Sequence, residues 1–164
     1  MRHRPGSLAL RLILAAGAWI AIALLIVGLL LSTIFRDYVL RSFDARLGTF
    51  IGSLIAVVEV GPEGQLSLTR GIGEPRFDQA YSGWYWQISG PEGAVLSSRS
   101  LWDQTLDQVD VPGADVATRD TIGPEDVPLR LAERAVSLPG GTGRYLIAVA
   151  GDRSEIDAEI RKFN

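Results

Sequence analysis

The chain has 164 residues, no cysteine and a single histidine, His3, so disulfide frames, thiolate chemistry, His-based triads and His-ligated zinc are excluded beyond the N-terminus. All 19 acids lie after residue 35, against 13 of the 16 basic residues, which leaves that part at about −6. This is the wrong sign for a nucleic-acid partner, which wants a clustered basic face.

An uncharged run of 24 residues, 12–35, follows the basic N-terminus of residues 1–11. At about 1.5 Å per residue a helix of that length reaches about 36 Å, enough to cross roughly 30 Å of hydrocarbon with some tilt. The competing reading is a cleavable signal peptide, whose apolar core is usually about 7–15 residues and ends at a small-x-small site. This run is longer and leaves through Leu31, Ser32, Thr33, Ile34 and Phe35 without such a site. Arg2, Arg4 and Arg11 precede it with no acid among them, whereas Arg36, Asp37, Arg41 and Asp44 follow in mixed sign. The positive-inside rule then keeps the N-terminus cytoplasmic and puts residues 36–164, enough for one domain, outside.

From residue 36 to 60 the apolar positions Val39, Leu40, Phe43, Leu47, Phe50, Ile51, Leu54, Ile55 and Val58 recur at helical spacing, with no proline or glycine at the junction with the span. One rod is expected to run from the lipid into the domain. Residues 61–64, Gly-Pro-Glu-Gly, stop it, and Leu66 and Leu68 alternate as in a short strand. Residues 82–89 read as a strand with Trp84, Trp86 and Ile88 on one face and Tyr85 and Gln87 on the other; residues 90–93 turn, and 94–99 return as a second strand. Between 101 and 128 periodicity disappears in an acidic stretch, and a connection of that length is usually functional or mobile. Residues 129–138 are strand-like, with Arg134 a candidate edge charge, and 145–150 are apolar on both faces, as in a central strand. Asp152 with Glu155 suggests a capping box for a closing helix whose face carries Ile156, Ile160 and Phe163. That pattern is still running at Asn164, so a continuation is expected. One long helix, five strands and a closing helix predict an α+β domain, a mostly antiparallel sheet packed on the N-terminal helix.

Several strings resemble the N-terminal input region of proteobacterial two-component sensor histidine kinases, which carry an extracytoplasmic PAS-like domain of PDC or single-Cache type between two membrane helices. They are Phe35-Arg-Asp-Tyr-Val-Leu-Arg-Ser-Phe-Asp-Ala-Arg-Leu47, Tyr81-Ser-Gly-Trp-Tyr-Trp-Gln-Ile88, Leu96-Ser-Ser-Arg-Ser-Leu-Trp-Asp103 and Ala148-Val-Ala-Gly-Asp-Arg-Ser-Glu-Ile156. The resemblance implies a PAS-like five-stranded sheet, an inner-membrane location with residues 36–164 periplasmic, a homodimer, and a second membrane helix after residue 164. It also implies a cytoplasmic kinase that would bind ATP and Mg and address a response regulator. The histidine-bearing helix and the ATP-binding parts are not in these residues, so no catalytic residue and no cofactor is assigned to them. Input would be conformational, with Arg36 and Phe43 on the first helix and Asp152 and Ile156 on the closing helix transmitting the signal.

For the stimulus two candidate contacts stand beside plainer readings. Trp84, Trp86 and Trp102 with Arg99 could line a pocket in which the guanidinium holds a small anion, or the tryptophans could be core and Arg99 solvated. Asp107, Asp110 and Asp115 offer oxygen ligands for a divalent cation, or are a solvated charge run without calcium-loop spacing. A periplasmic protein is a further possible partner. The alternative function is a membrane-anchored periplasmic ligand-binding or scaffolding module without kinase activity; a tethered hydrolase using carboxylates alone is the third.

Overall fold

The computed structural model describes residues 6–91, 95–109 and 115–163. Its first element, α1 (Gly6–Val57), is one unbroken helix of 52 residues. An 18-residue window of it has a mean hydropathy of 2.7 and is wholly unburied, so the helix is long and apolar enough to cross a membrane. Further along, Leu47, Ile51 and Leu54 are fully buried at four- and three-residue spacing, and the same rod becomes the first core helix of a domain.

The β-branched run Val57, Val58, Val60 ends α1 earlier than its apolar pattern suggests. Residues 58–60 are instead β1 (Val58–Val60), paired antiparallel with β2 (Leu66–Leu68) across a turn that Gly64 closes at φ +80°. A 3-10 turn, Pro75–Asp78, leads to β3 (Trp84–Ser89), followed by β4 (Val95–Ser97) and a second 3-10 turn, Arg99–Leu101. Then come β5 (Ala117–Ile122), β6 (Pro128–Ser137), β7 (Arg144–Asp152) and α2 (Arg153–Phe163).

Five of these strands form an antiparallel sheet in the order β4-β3-β7-β6-β5. Its membership corrects the sequence expectation: β2 stands outside it, and its fifth strand is β5, from the stretch read as aperiodic. β5 carries Thr118, Arg119 and Asp120 rather than an apolar alternation, because as an edge strand it supplies polar partners rather than core. β7 is central, as its two apolar faces require. Arg134 lies on β6, an inner strand, one residue past the last β5 pair, Ala117↔Glu133.

The alternation along β3 serves two cores. Trp84, Trp86 and Ile88 face α1 with Ile147, Val149 and Ala132, while Tyr85 faces the other way with Leu129, Leu131, Ala148 and Ala150. Residues 98–109 cover that second face. Ser98 Oγ accepts the Trp86 N–H at 3.1 Å, Ser100 Oγ donates to the Trp84 carbonyl at 2.6 Å, and the Leu106 N–H donates to Gln87 Oε1 at 2.8 Å. The buried Glu133 carboxylate accepts from Val109 N–H at 3.1 Å and from Arg119 Nε at 2.9 Å. Among the described residues every buried side-chain nitrogen or oxygen has a partner.

Candidate functional site: the junction of the two helices

α1 crosses the sheet where β7 ends and α2 begins. Gly151 sits in register between Trp84 and Arg130, and a Cβ there would meet Phe43 Cζ at 2.7 Å, so glycine is what lets the helix approach. One residue later the Asp152 carboxylate accepts the Ser154 N–H at 2.7 Å as the N-cap of α2. Glu155 does not return to complete the expected capping box. Its carboxylate is turned to Trp84 Nε1 at 2.9 Å and Arg76 at 3.2 Å.

Two polar networks clamp the junction. In the first, Asp44 of α1 takes a bidentate pair from Arg130 of β6, with Nε and Nη2 each at 2.7 Å. Arg130 also reaches Thr118 at 2.9 Å and Asp120 at 3.2 Å, and the second Asp120 oxygen accepts from Arg153 of α2 at 2.7 Å. The Asp44 hydrogen bonds hold the Arg130 guanidinium above its usual range, so this centre stays charged at any working pH. In the second network Glu74 binds Arg76 at 2.8 Å and Arg46 of α1 at 3.5 Å, and Arg76 continues to Glu155 of α2. Arg76 and Arg46 both lie over the Trp84 ring, 4.1 and 4.8 Å from its centroid. Helix α1 and the first turn of α2 are therefore each tied to a common set of sheet and turn residues on two sides. Between them is a groove of about 300 Å³ lined by Phe35, Tyr38, Val39, Phe43, Arg46 and Ile156 among others.

The Arg76 hydrogen bond is the main cause that holds the Glu74 carboxyl below its ordinary range. A carboxylate with a depressed folded-state pKa stabilises the fold above the unfolded value, and that contribution is lost as pH falls through the folded one. Glu74→Gln is therefore expected to be less stable than the parent near neutrality. In melting curves taken from about pH 6 down to about pH 3 the gap should narrow as the parent loses its advantage. A gap that stays constant would remove Glu74 from the clamp.

Of the residues to which the resemblance gives a signal-transmitting role, Phe43 and Ile156 lie at this junction, Asp152 caps α2, and Arg36 is exposed on α1. The expected pocket residues do not come together as a site. Trp84 and Trp86 are core, because β3 alternates them onto α1, whereas Arg99 and Trp102 are exposed on the turn after β4. Asp107 and Asp115 are exposed, Asp110 lies outside the described residues, and no group of three metal-ligating side chains occurs among the described residues. The sequence reading missed Asp44, Arg130, Asp120, Arg46, Glu74 and Arg76; charged residues at turn of strand and helix were the only signal, and partners up to 86 positions apart gave it no direction. No protein-family model, curated protein or solved structure matches the chain.

Proposed function

We propose that the chain is the signal-sensing input region of a transmembrane two-component sensor histidine kinase. Residues 12–35 cross the inner membrane with the N-terminus cytoplasmic, and a PAS-like domain in the periplasm biases a kinase on the other side, acting as a homodimer upstream of a response regulator. One observation carries this reading: the helix bearing the apolar run continues unbroken into the core and is clamped there to the start of a second helix. A stiff helix clamped to the start of a second one has a defined set of arrangements against it, so a stimulus that favours one arrangement of the clamp shifts one helix relative to the other. The resemblance to sensor-kinase input regions supplies the identity of the output. A membrane anchor that only tethers a domain has no need of a break-free helix crossing two solvents.

The test is a hybrid in which residues 1–164 are joined through a second apolar helix to a cytoplasmic histidine-kinase module. Asp44→Ala is expected to change its phosphorylation by about fivefold or more, the low end of ordinary allosteric coupling, at equal protein level. Ser67→Ala on the exposed side of β2 should leave it unchanged. Phosphorylation indifferent to Asp44→Ala would reduce the chain to a tether.

A further inference from the structure

Among the described residues four that are not glycine hold positive φ: Tyr81 (54°), Trp102 (55°), Glu125 (55°) and Asp126 (60°). All four fall in connections at one end of the sheet, the end where β3 and β6 start and β5 and β7 finish. That end faces back along α1 toward its apolar run. Phe43 meets Gly151 and Trp84 there, whereas Gly140, at the opposite end, lies against Val60 beyond the helix.

The path of residues 98–109 makes Trp102 the tip of this end. Ser98 is level with Trp86 and Ser100 with Trp84, and after Trp102 the chain turns back, Leu106 reaching Gln87 and Gln108 reaching the Leu146 carbonyl. The tip is braced, since the Tyr81 N–H donates to the Ser100 carbonyl at 2.9 Å and the Tyr81 hydroxyl to Asp103 at 3.2 Å. Yet its large side chains are left in solvent: Trp102 is 70% exposed, Tyr81 38%, and Ile122 at the end of β5 62%. A tryptophan held in a backbone conformation that L side chains rarely adopt, and presented rather than buried, calls for a partner.

The geometry points to that partner as the interfacial layer of the bilayer that α1 enters, so that Trp102, with Tyr81 and Ile122 beside it, seats the domain on the membrane. This inference rests on the membrane-spanning reading of residues 12–35. Phe43 lies eight residues past Phe35, so the end of the sheet stands about 12 Å above the hydrocarbon. The two residues from Ser100 to Trp102, in a 3-10 turn of about 2 Å rise per residue, recover about 4 Å of that. The roughly 8 Å that remains puts the Trp102 backbone at the outer edge of a headgroup layer of about 5–7 Å, within reach of its side chain, where tryptophan and tyrosine collect. Asp103, Glu125 and Asp126 at the same end oppose attraction to anionic headgroups, so the contact works by aromatic partition rather than by charge.

The chain has no cysteine, so single-cysteine variants of the full chain in phosphatidylcholine nanodiscs can carry a fluorophore at Trp102→Cys, at Ser67→Cys in β2 on the far side, and at Thr33→Cys in the span. Headgroup spin-labelled lipid should quench position 102 several-fold more than position 67, and high salt should not change this. The difference spectrum between the parent and Trp102→Phe, which leaves position 102 unlabelled and apolar, should show blue-shifted emission. Position 102 behaving like 67 while position 33 is quenched by acyl-chain spin label would overturn the docking and leave the span intact. An unquenched position 33 would overturn both, and loss of quenching at 102 in high salt would overturn partition as its cause.

Discussion

Trp84→Ala is expected to lower the stability of the domain by about 4 kcal/mol, the range for removing a large buried aromatic. For a domain of this size that corresponds to a fall in melting temperature on the order of 10–15 °C. The side chain is fully buried and is the meeting point of three rings: Phe43 at 5.4 Å, Phe50 at 6.0 Å and Phe77 at 6.5 Å, the last two edge-on. It also supports Arg46 and Arg76 on its face and donates to Glu155 from Nε1. Alanine would leave a cavity between α1 and β3 that cannot collapse, because both walls are long regular elements tied to their own neighbours. Trp84→Phe keeps most of the ring packing and loses the indole N–H, so it should cost less than half as much. Thermal unfolding of the full chain in detergent, followed by circular dichroism, separates the two. A Trp84→Ala loss under about 1 kcal/mol, the scale of a typical single substitution, would mean that Trp84 is not the keystone of the α1 contact.

The elements that periodicity marks are those whose burial sets their composition. The apolar stripe of α1 and the two-sided apolar strand β7 are fixed by what they touch, so helix, central strand and α+β class could be read from residue spacing. β5 was not legible for the opposite reason. Ala117 to Ile122 buries no large side chain and is held by a ladder to β6 and by its polar pairs, Arg119 with Glu133 and Asp120 with Arg130 and Arg153. A strand that exists because another strand offers it a hydrogen-bonding edge leaves little trace in its own hydropathy.

The site was less legible than the fold. The tryptophans attracted attention as a pocket because aromatics and an arginine stand close in sequence, but strand alternation sends Trp84 and Trp86 inward while the turn sends Trp102 outward. The arginines that do lie over Trp84 are Arg46, on the helix, and Arg76, in the turn Pro75–Asp78. Phe43 and Ile156 could be read only as members of apolar helical repeats, and that spacing did not say that the two helices meet. Asp44 and Arg130 could not be placed at all, since a charge read from sequence defaults to solvent and only the folded register reveals which charge it meets.

That pair gives the second large effect. Arg130→Ala is expected to cost about 2–3 kcal/mol, between the small value of an exposed ion pair and the larger one of a fully buried pair that loses one partner. The side chains are 18% and 24% exposed, so the Asp44 carboxylate left behind is only partly able to recover water. Asp44→Asn should cost less, because the amide oxygen can still accept one of the two guanidinium hydrogen bonds. In a double-mutant cycle the two substitutions should fall short of additivity by about 1–3 kcal/mol. Replacing both by leucine should recover much of the loss, since the cost arises from an unpaired charge rather than from a missing attraction. Arg153→Ala, which removes an exposed ion pair with Asp120, should cost under about 1 kcal/mol. This ordering has a consequence for signalling: Asp44 fastens α1 firmly to the sheet through a half-buried pair, while both ties of α2, Arg153 to Asp120 and Glu155 to Arg76 and Trp84, run through carboxylates that are 45% exposed. A stimulus at the junction therefore moves α2 against a fixed α1. Additive costs for Asp44 and Arg130, or an Arg153 effect as large as that of Arg130, would reverse which helix is the anchor and which the moving part.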